Sequence, residues 1–279
     1  MVIGHRGARG LYPENTLEAV RAMLARGLRR IEVDVGVTAD GVAVLHHDPA
    51  INPDLARGPD GRWIAAPGPL LRTRRFAELQ AYDVGRIRPG SAYAAAFADQ
   101  TPIDGARIPA LRDLLRLDAG LQVTIEMKLL ADQPEATVPP DVMAAATLAA
   151  IGAEGAARRV TASCFDWRGL AAIRRLNPDV KLACLTEAAT VAAARRWWDG
   201  RAAADHGGSV PRTVTAVGAT TWSPEHVDLT PALVAEAQDL GLAVVPWTVN
   251  DPADMARLLA WGVDGLITDR PDLVPGRPT

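Results

Sequence analysis

The chain has 279 residues, 48% of them apolar, with a formal net charge of −3 and a pI near 6.0. That length allows one large core or two small domains, and the balance of charge leaves no basic field for nucleic acid or an anionic membrane. Cys164 and Cys184 are the only cysteines and no CxxC spacing occurs, which excludes a disulfide framework.

No apolar run reaches the roughly 18 residues of a membrane span. Strand-like residues follow Met1 without a signal-peptide pattern, so the expected location is cytoplasmic. Residues 1–4 read as a short apolar strand running into His5-Arg6-Gly7. A helix over about 15–27 follows, with Asn15 at the N-cap, Glu18 three positions on and Gly27 as the stop.

Residues 30–49 are the most informative stretch. Ile31, Val33, Val35 and Val37 alternate with Glu32 and Asp34, the period of a strand, so the two acids share a face. Asp40-Gly41 signals a two-residue hairpin turn, with a second strand over 42–45. Pairing Ala39 with Val42 sets Asp34 opposite His47, side chains about 5 Å apart. The same alternation turns His46 to the outer face. Two carboxylates on a buried face repel unless something positive lies between them. A divalent cation does this, and oxygen ligands favour Mg²⁺ or Ca²⁺.

Residues 50–107 are rich in Pro and Gly, with one short helix over about 75–82. So long a stretch reads as a lid or small insertion, in which Trp63, Tyr93 and Phe97 are expected to anchor it to the body in preference to facing a substrate. From 108 the pattern is regular. Helices over 110–117, 141–151, 167–176, 188–198, 231–240 and 252–261 alternate with strands over 121–128, 160–164, 180–185, 213–219, 242–249 and 264–268. With the first strand and the first arm of the hairpin there are eight parallel candidates. Eight such units in about 250 residues predict an α/β fold, a single-domain (β/α)8 TIM barrel carrying an insertion after the second-strand hairpin.

Active sites of such barrels lie at the C-terminal ends of the strands. Those ends carry His5 and Arg6, Glu32 and Asp34, Glu126 and Lys128, and Trp247. Glu126 and Lys128, two apart on a strand, share a face. Lys128 and Lys181 are the only lysines among 30 basic residues, and an ammonium is not interchangeable with a guanidinium at a tight site. A cation beside Lys and Arg is apparatus for a phosphate oxyanion. Two histidines at the same mouth can divide proton duties, one deprotonating a nucleophile and one protonating a leaving alkoxide. Together these residues argue for metal-assisted phosphodiester hydrolysis.

His5-Arg6-Gly7, Pro13-Glu14-Asn15-Thr16, Glu32-x-Asp34, His47-Asp48, Glu126-x-Lys128, Trp247-Thr248-Val249-Asn250 and the run Gly262 to Asp269 together resemble the glycerophosphodiester phosphodiesterase family. The resemblance implies a TIM barrel, hydrolysis of glycerophosphodiesters to glycerol 3-phosphate and an alcohol, and a small-molecule substrate. It implies His5 and His47 as the acid–base pair and Glu32, Asp34 and Glu126 as ligands of one divalent cation. It places Arg6 and Lys128 on the phosphate and Trp247 against the bound alcohol. Asp48 is expected to orient the turn into Pro49 in preference to binding metal, and Asp269 to fix the end of the last strand; Pro13–Thr16 reads mainly as helix entry, from which Asn15 can also reach the site. Alternatives are a lysophospholipase D or sphingomyelinase D-like enzyme on lipids and a catalytically silent binding barrel. An aldolase-like barrel using Lys128 is disfavoured, because Glu126 beside it keeps the amine protonated.

Overall fold

The computed structural model describes residues 1–275. Nine strands are present among the described residues: β1 (Val2–Gly4), β2 (Arg30–Val37), β3 (Ala43–Leu45), β4 (Gln122–Met127), β5 (Val160–Cys164), β6 (Lys181–Thr186), β7 (Thr221–Pro224), β8 (Ala243–Val244) and β9 (Leu266–Thr268). Eight run parallel in the order β8-β7-β6-β5-β4-β2-β1-β9, while β3 pairs antiparallel with β2. The two ends of this path meet. Asp264 N donates to Val244 O, Ile267 N to Pro246 O and Val249 N to Ile267 O, each at 2.9 Å, which closes the ring. The fold is a TIM barrel, as the alternation of elements predicted.

Alternation within the strands divides inside from outside. Ile31, Val33 and Val35 of β2 and Val123, Ile125 and Met127 of β4 join the main core between the sheet and its helices. Glu32, Asp34 and Glu126 fall on the other face, inside the barrel. Leu170 and Ile173 of the helix Trp167–Leu176, and Met255 and Leu258 of the helix Pro252–Ala260, supply the outer half of that core. No helix among the described residues is long and apolar enough to cross a membrane.

Several expectations need correction. Residues 213–219 are not a strand: Val210–Ala216 is a helix, and the strand is Thr221–Pro224. Ser209 caps that helix by accepting from Arg212 N, Pro211 sits in its first turn, and the Thr213 and Thr215 hydroxyls bond back to Ser209 O and Pro211 O. Those local bonds satisfy β-branched residues that otherwise favour strands. The strand expected over 242–249 shortens to Ala243–Val244 because Pro246 has no N–H to continue the ladder.

The hairpin register is one residue off the expectation. Val35 pairs with Leu45 and Val37 with Ala43, so the loop has three residues, closed by Gly41 N donating to Thr38 O. Gly41 takes the left-handed conformation (φ 78°) of such a loop. Asp34 therefore lies across from His46, not His47, and His46 N donates to Asp34 O at 3.1 Å. His46 is buried, its Nε2 against Ala50 O at 3.2 Å, instead of lying on an outer polar face. Because β3 ends at Leu45, strand alternation does not extend to either histidine.

Residues 50–107 contain short helices at Phe76–Leu79 and Ala92–Ala96. Ile51, Ala56, Leu71, Leu79 and Ile108 form a second cluster with Val44 of the hairpin, so this segment has its own apolar anchor. Its chain passes very close to itself at Gly85, where a Cβ would lie 1.8 Å from Ile103 O.

Candidate active site

The strands deliver three carboxylates to one point. Asp34 and Glu126 are direct partners in the β2–β4 register, and Glu32 lies two residues before Asp34 on the same face. All three are buried, and one oxygen from each lies within 4.8 Å of the others. Glu32 Oε1 and Asp34 Oδ1 have no hydrogen-bond donor. Lys128 Nζ donates to Glu126 Oε1 at 2.5 Å and faces Asp34 Oδ1 at 3.5 Å. Arg6 Nε stands 3.3 Å from Asp34 Oδ2, and Arg6 N donates to Glu32 Oε2 at 3.0 Å.

The charges respond to this crowding. Burial, reinforced by Asp34 and Glu126, pushes the Glu32 carboxyl well above its usual range. Burial would also raise Asp34, but Arg6, His47 and Lys128 pull it well below. Glu126 and Asp34 hold Lys128 charged against the effect of burial. Orphaned inner oxygens and an all-carboxylate donor set fit a hard divalent cation.

Asn15 was expected mainly to cap the first helix, with the site as its alternative destination. Thr16 is the cap instead, its side chain accepting from Ala19 N, and the helix runs Leu17–Ala25. Asn15 is turned into the site, donating from Nδ2 to Asp34 Oδ2 at 2.9 Å and accepting from Asp34 N at 3.1 Å. Arg6 and Asn15 both have positive φ, 51° and 54°. Such backbone is costly for residues with a side chain and persists only where surrounding contacts enforce it.

Each predicted histidine leans on a carboxylate. His5 Nδ1 is 2.6 Å from Asp269 Oδ1, and His47 Nδ1 is 2.6 Å from Asp48 Oδ1. Those pairings favour a proton on Nδ1 and leave Nε2 of each ring for chemistry. Burial holds His5 below the usual imidazole range, outweighing Asp269. Asp269 also accepts from Arg9 Nε and Asn250 Nδ2, and Asp48 from Asn52 Nδ2.

His5, Arg6, Glu32, His47, Glu126, Lys128 and Trp247 line one cavity of about 150 Å³, and Asp34 lies beneath it, buried against Arg6 and Lys128. Every site residue singled out from the sequence is thus brought to one mouth. The sequence reading missed Arg9 and Ser163, which also line this cavity, and Glu14, which accepts from Arg6 Nη1 at 2.9 Å. It also gave Asp48 a turn duty in preference to metal binding, and Asp269 a strand-end duty, and assigned neither to a histidine. The adjacency of His47 and Asp48 was a usable signal; the pairing of His5 with Asp269, 264 residues apart, left none. Of the aromatic residues in the inserted segment, Tyr93 bonds Arg9 and Glu14 and Phe97 stacks on Arg9 at 4.6 Å, so they anchor it to this edge. Trp63 lies against Arg57 within the segment itself.

The model of the glycerophosphoryl diester phosphodiesterase family matches residues 5–273. A glycerophosphodiester phosphodiesterase from Caldanaerobacter subterraneus subsp. tengcongensis is 27% identical over 274 residues, 98% of this chain and 95% of that one. The crystal structure of a candidate glycerophosphoryl diester phosphodiesterase from Silicibacter pomeroyi DSS-3 is 37% identical with a TM-score of 0.88, covering 98% of this chain and 90% of the other. An Oleispira antarctica phosphodiesterase, solved with the product sn-glycerol-3-phosphate, shares the fold with a TM-score of 0.71 at 20% identity, over 98% and 94% of the two chains.

Proposed function

This chain belongs to the glycerophosphoryl diester phosphodiesterase family, and on that premise we propose that it hydrolyses glycerophosphodiesters to sn-glycerol 3-phosphate and an alcohol with His5 and His47 as the proton-transfer pair. Glu32, Asp34 and Glu126 would hold one divalent cation, Mg²⁺ or Ca²⁺. When bound there it supplies charge stabilisation to phosphoryl oxygens as a Lewis acid. Arg6 and Lys128, charged and already aligned on the carboxylates, offer further donors to the phosphate.

The residues of the chain divide the chemistry. An imidazole Nε2 takes a proton from the attacking water as the water oxygen bonds to phosphorus. The opposite imidazole gives a proton to the alcohol oxygen as its bond to phosphorus breaks. Burial holds His5 below the usual imidazole range, which suits the accepting role and leaves the donating one to His47. Asp269 and Asp48 hold the two rings and stabilise each when it is cationic. Trp247, held by Nε1 donating to Ser223 O at 3.0 Å, forms an apolar wall for the organic part of the substrate.

The observation that carries this reading is the carboxylate triad with unpartnered inner oxygens in the same cavity as two carboxylate-held imidazoles. Its test is turnover of glycerophosphocholine, with lysophosphatidylcholine as the lipid comparison, before and after chelation. Expected is loss of activity in EDTA and its return with Mg²⁺ or Ca²⁺. Full activity in chelator would remove the cation from the reading, and turnover of the lysophospholipid alone would replace the substrate.

A further inference from the structure

The two sides of the catalytic cavity differ in character. One carries the carboxylates, Arg6, Lys128 and the imidazoles; the other is walled by Phe165, Leu185, Trp247 and Ile267. Phe165 and Trp247 meet edge to face with ring centroids 5.3 Å apart. At the seam stands a hydroxyl that the reaction above does not use. Ser163 lies on β5, directly across from Glu126 in the β4–β5 register and from Ala183 of β6. It lines the cavity, is 1% exposed, and its Oγ has no hydrogen-bond partner.

A buried hydroxyl without a partner is unfavourable, and an alanine would fill this strand position without that cost. Ser223, an inward hydroxyl on β7, has no such deficit, because it donates to Val245 O. Nor can the indole of Trp247 serve a ligand here, since its N–H is already given to Ser223 O. A hydroxyl both donates and accepts, which is what another alcohol group requires of its partner. The phosphate needs only donors, and Arg6 and Lys128 supply them.

We propose that Ser163 is a specificity-determining residue that hydrogen-bonds a free hydroxyl of the substrate's glycerol moiety, so that the site selects phosphodiesters of a polyhydroxy alcohol over those of a simple diol or alkyl alcohol. The proposal rests on the phosphodiesterase reading above and deepens it. Ser163 stands on β5 between Glu126 of β4 and the β6 strand that carries Leu185, where the charged lining gives way to the apolar one. Thr248, the other hydroxyl residue of the lining, is half-buried and lies past the end of β8.

The test compares kcat/KM for a glycerophosphodiester with those for its two monodeoxy analogues, each lacking one glycerol hydroxyl and carrying the same leaving alcohol. Wild-type enzyme, Ser163→Ala and Ser163→Thr are assayed with saturating cation. Expected is a wild-type preference of about three- to tenfold or more for the full glycerol substrate over one of the analogues, the size of one neutral hydrogen bond. In Ser163→Ala that preference should fall to near one, through a rise in KM for the substrates that keep the bonded hydroxyl and not for the analogue that lacks it, while Ser163→Thr restores part of it. A preference unchanged in Ser163→Ala, or an equal slowing of all three substrates, overturns the proposal. If the wild-type enzyme cleaves none of the three, the phosphodiesterase reading itself fails and this inference falls with it.

Discussion

Glu32, Asp34 and Glu126 are buried carboxylates whose nearest positive groups, Arg6 and Lys128, cover only part of their oxygens. Glu126→Gln keeps the shape and removes one charge. It should raise the cation concentration for half-maximal activity by at least about tenfold, read from activity against free Mg²⁺ or Ca²⁺. His5→Ala and His47→Ala should each lower kcat roughly 10²–10⁴-fold. Asp48→Asn tests the holding role of the neighbouring carboxylate. Because Asp48 is partly exposed, the melting temperature should hardly move while kcat falls by roughly tenfold or more. These residues were legible from the sequence because their types are rare in a barrel interior. Their supporting partners were not, since Asn15, Asp48 and Asp269 each have a plausible local duty at a cap, a turn or a strand end.

Caps and turns decided where the elements start and stop. Thr16→Ala removes the buried hydroxyl that caps the helix Leu17–Ala25 and should cost about 1 kcal/mol of stability in chemical denaturation. The hairpin shows how little separates two readings: one added loop residue moved every cross-strand partner by one place. His47 still reaches the cavity, because β3 ends before the histidines and the chain turns freely after Leu45. Residues 210–216 misled for a different reason. Val and Thr favour strands in isolation, and the cap at Ser209 with the back-bonding threonines overrode that preference. Gly85→Ala should lower the melting temperature of the inserted segment sharply, since backbone, not a movable side chain, occupies the space a Cβ would need.

The barrel as a whole gathers its inward carboxylates at one end. A larger cavity of about 420 Å³ opens at the other end, lined by Arg30, Arg159 and Lys181 with small inward residues such as Thr161 and Ala183, and it contains no carboxylate to hold a cation. Cation binding at the catalytic end should therefore stabilise the whole fold. At a hundredfold excess over Kd the gain is about 2.7 kcal/mol, and EDTA should lower the melting temperature accordingly. Stability should also depend on pH through the buried imidazoles. Burial lowers both His5 and His46, whereas an unfolded histidine titrates near 6.5. Below that value the unfolded chain binds more protons, so stability falls as pH drops from about 6.5 toward the folded-state values and is level above it. His46→Gln should flatten part of that slope in thermal melts between about pH 5 and 8.

Alternation of period two and of helical period along 279 residues was enough to determine a closed parallel barrel and the strand ends at which chemistry collects, because side-chain periodicity is a local property of backbone geometry. Residue types at those ends narrowed the chemistry to a cation, a phosphate and proton transfer. Tertiary structure alone decided which carboxylate holds which imidazole, that Asn15 faces Asp34 instead of its helix, and that Ser163 stands without a partner between the two sides of the cavity. Those facts depend on groups distant in sequence meeting within hydrogen-bond range, and no local pattern encodes a distance across the barrel.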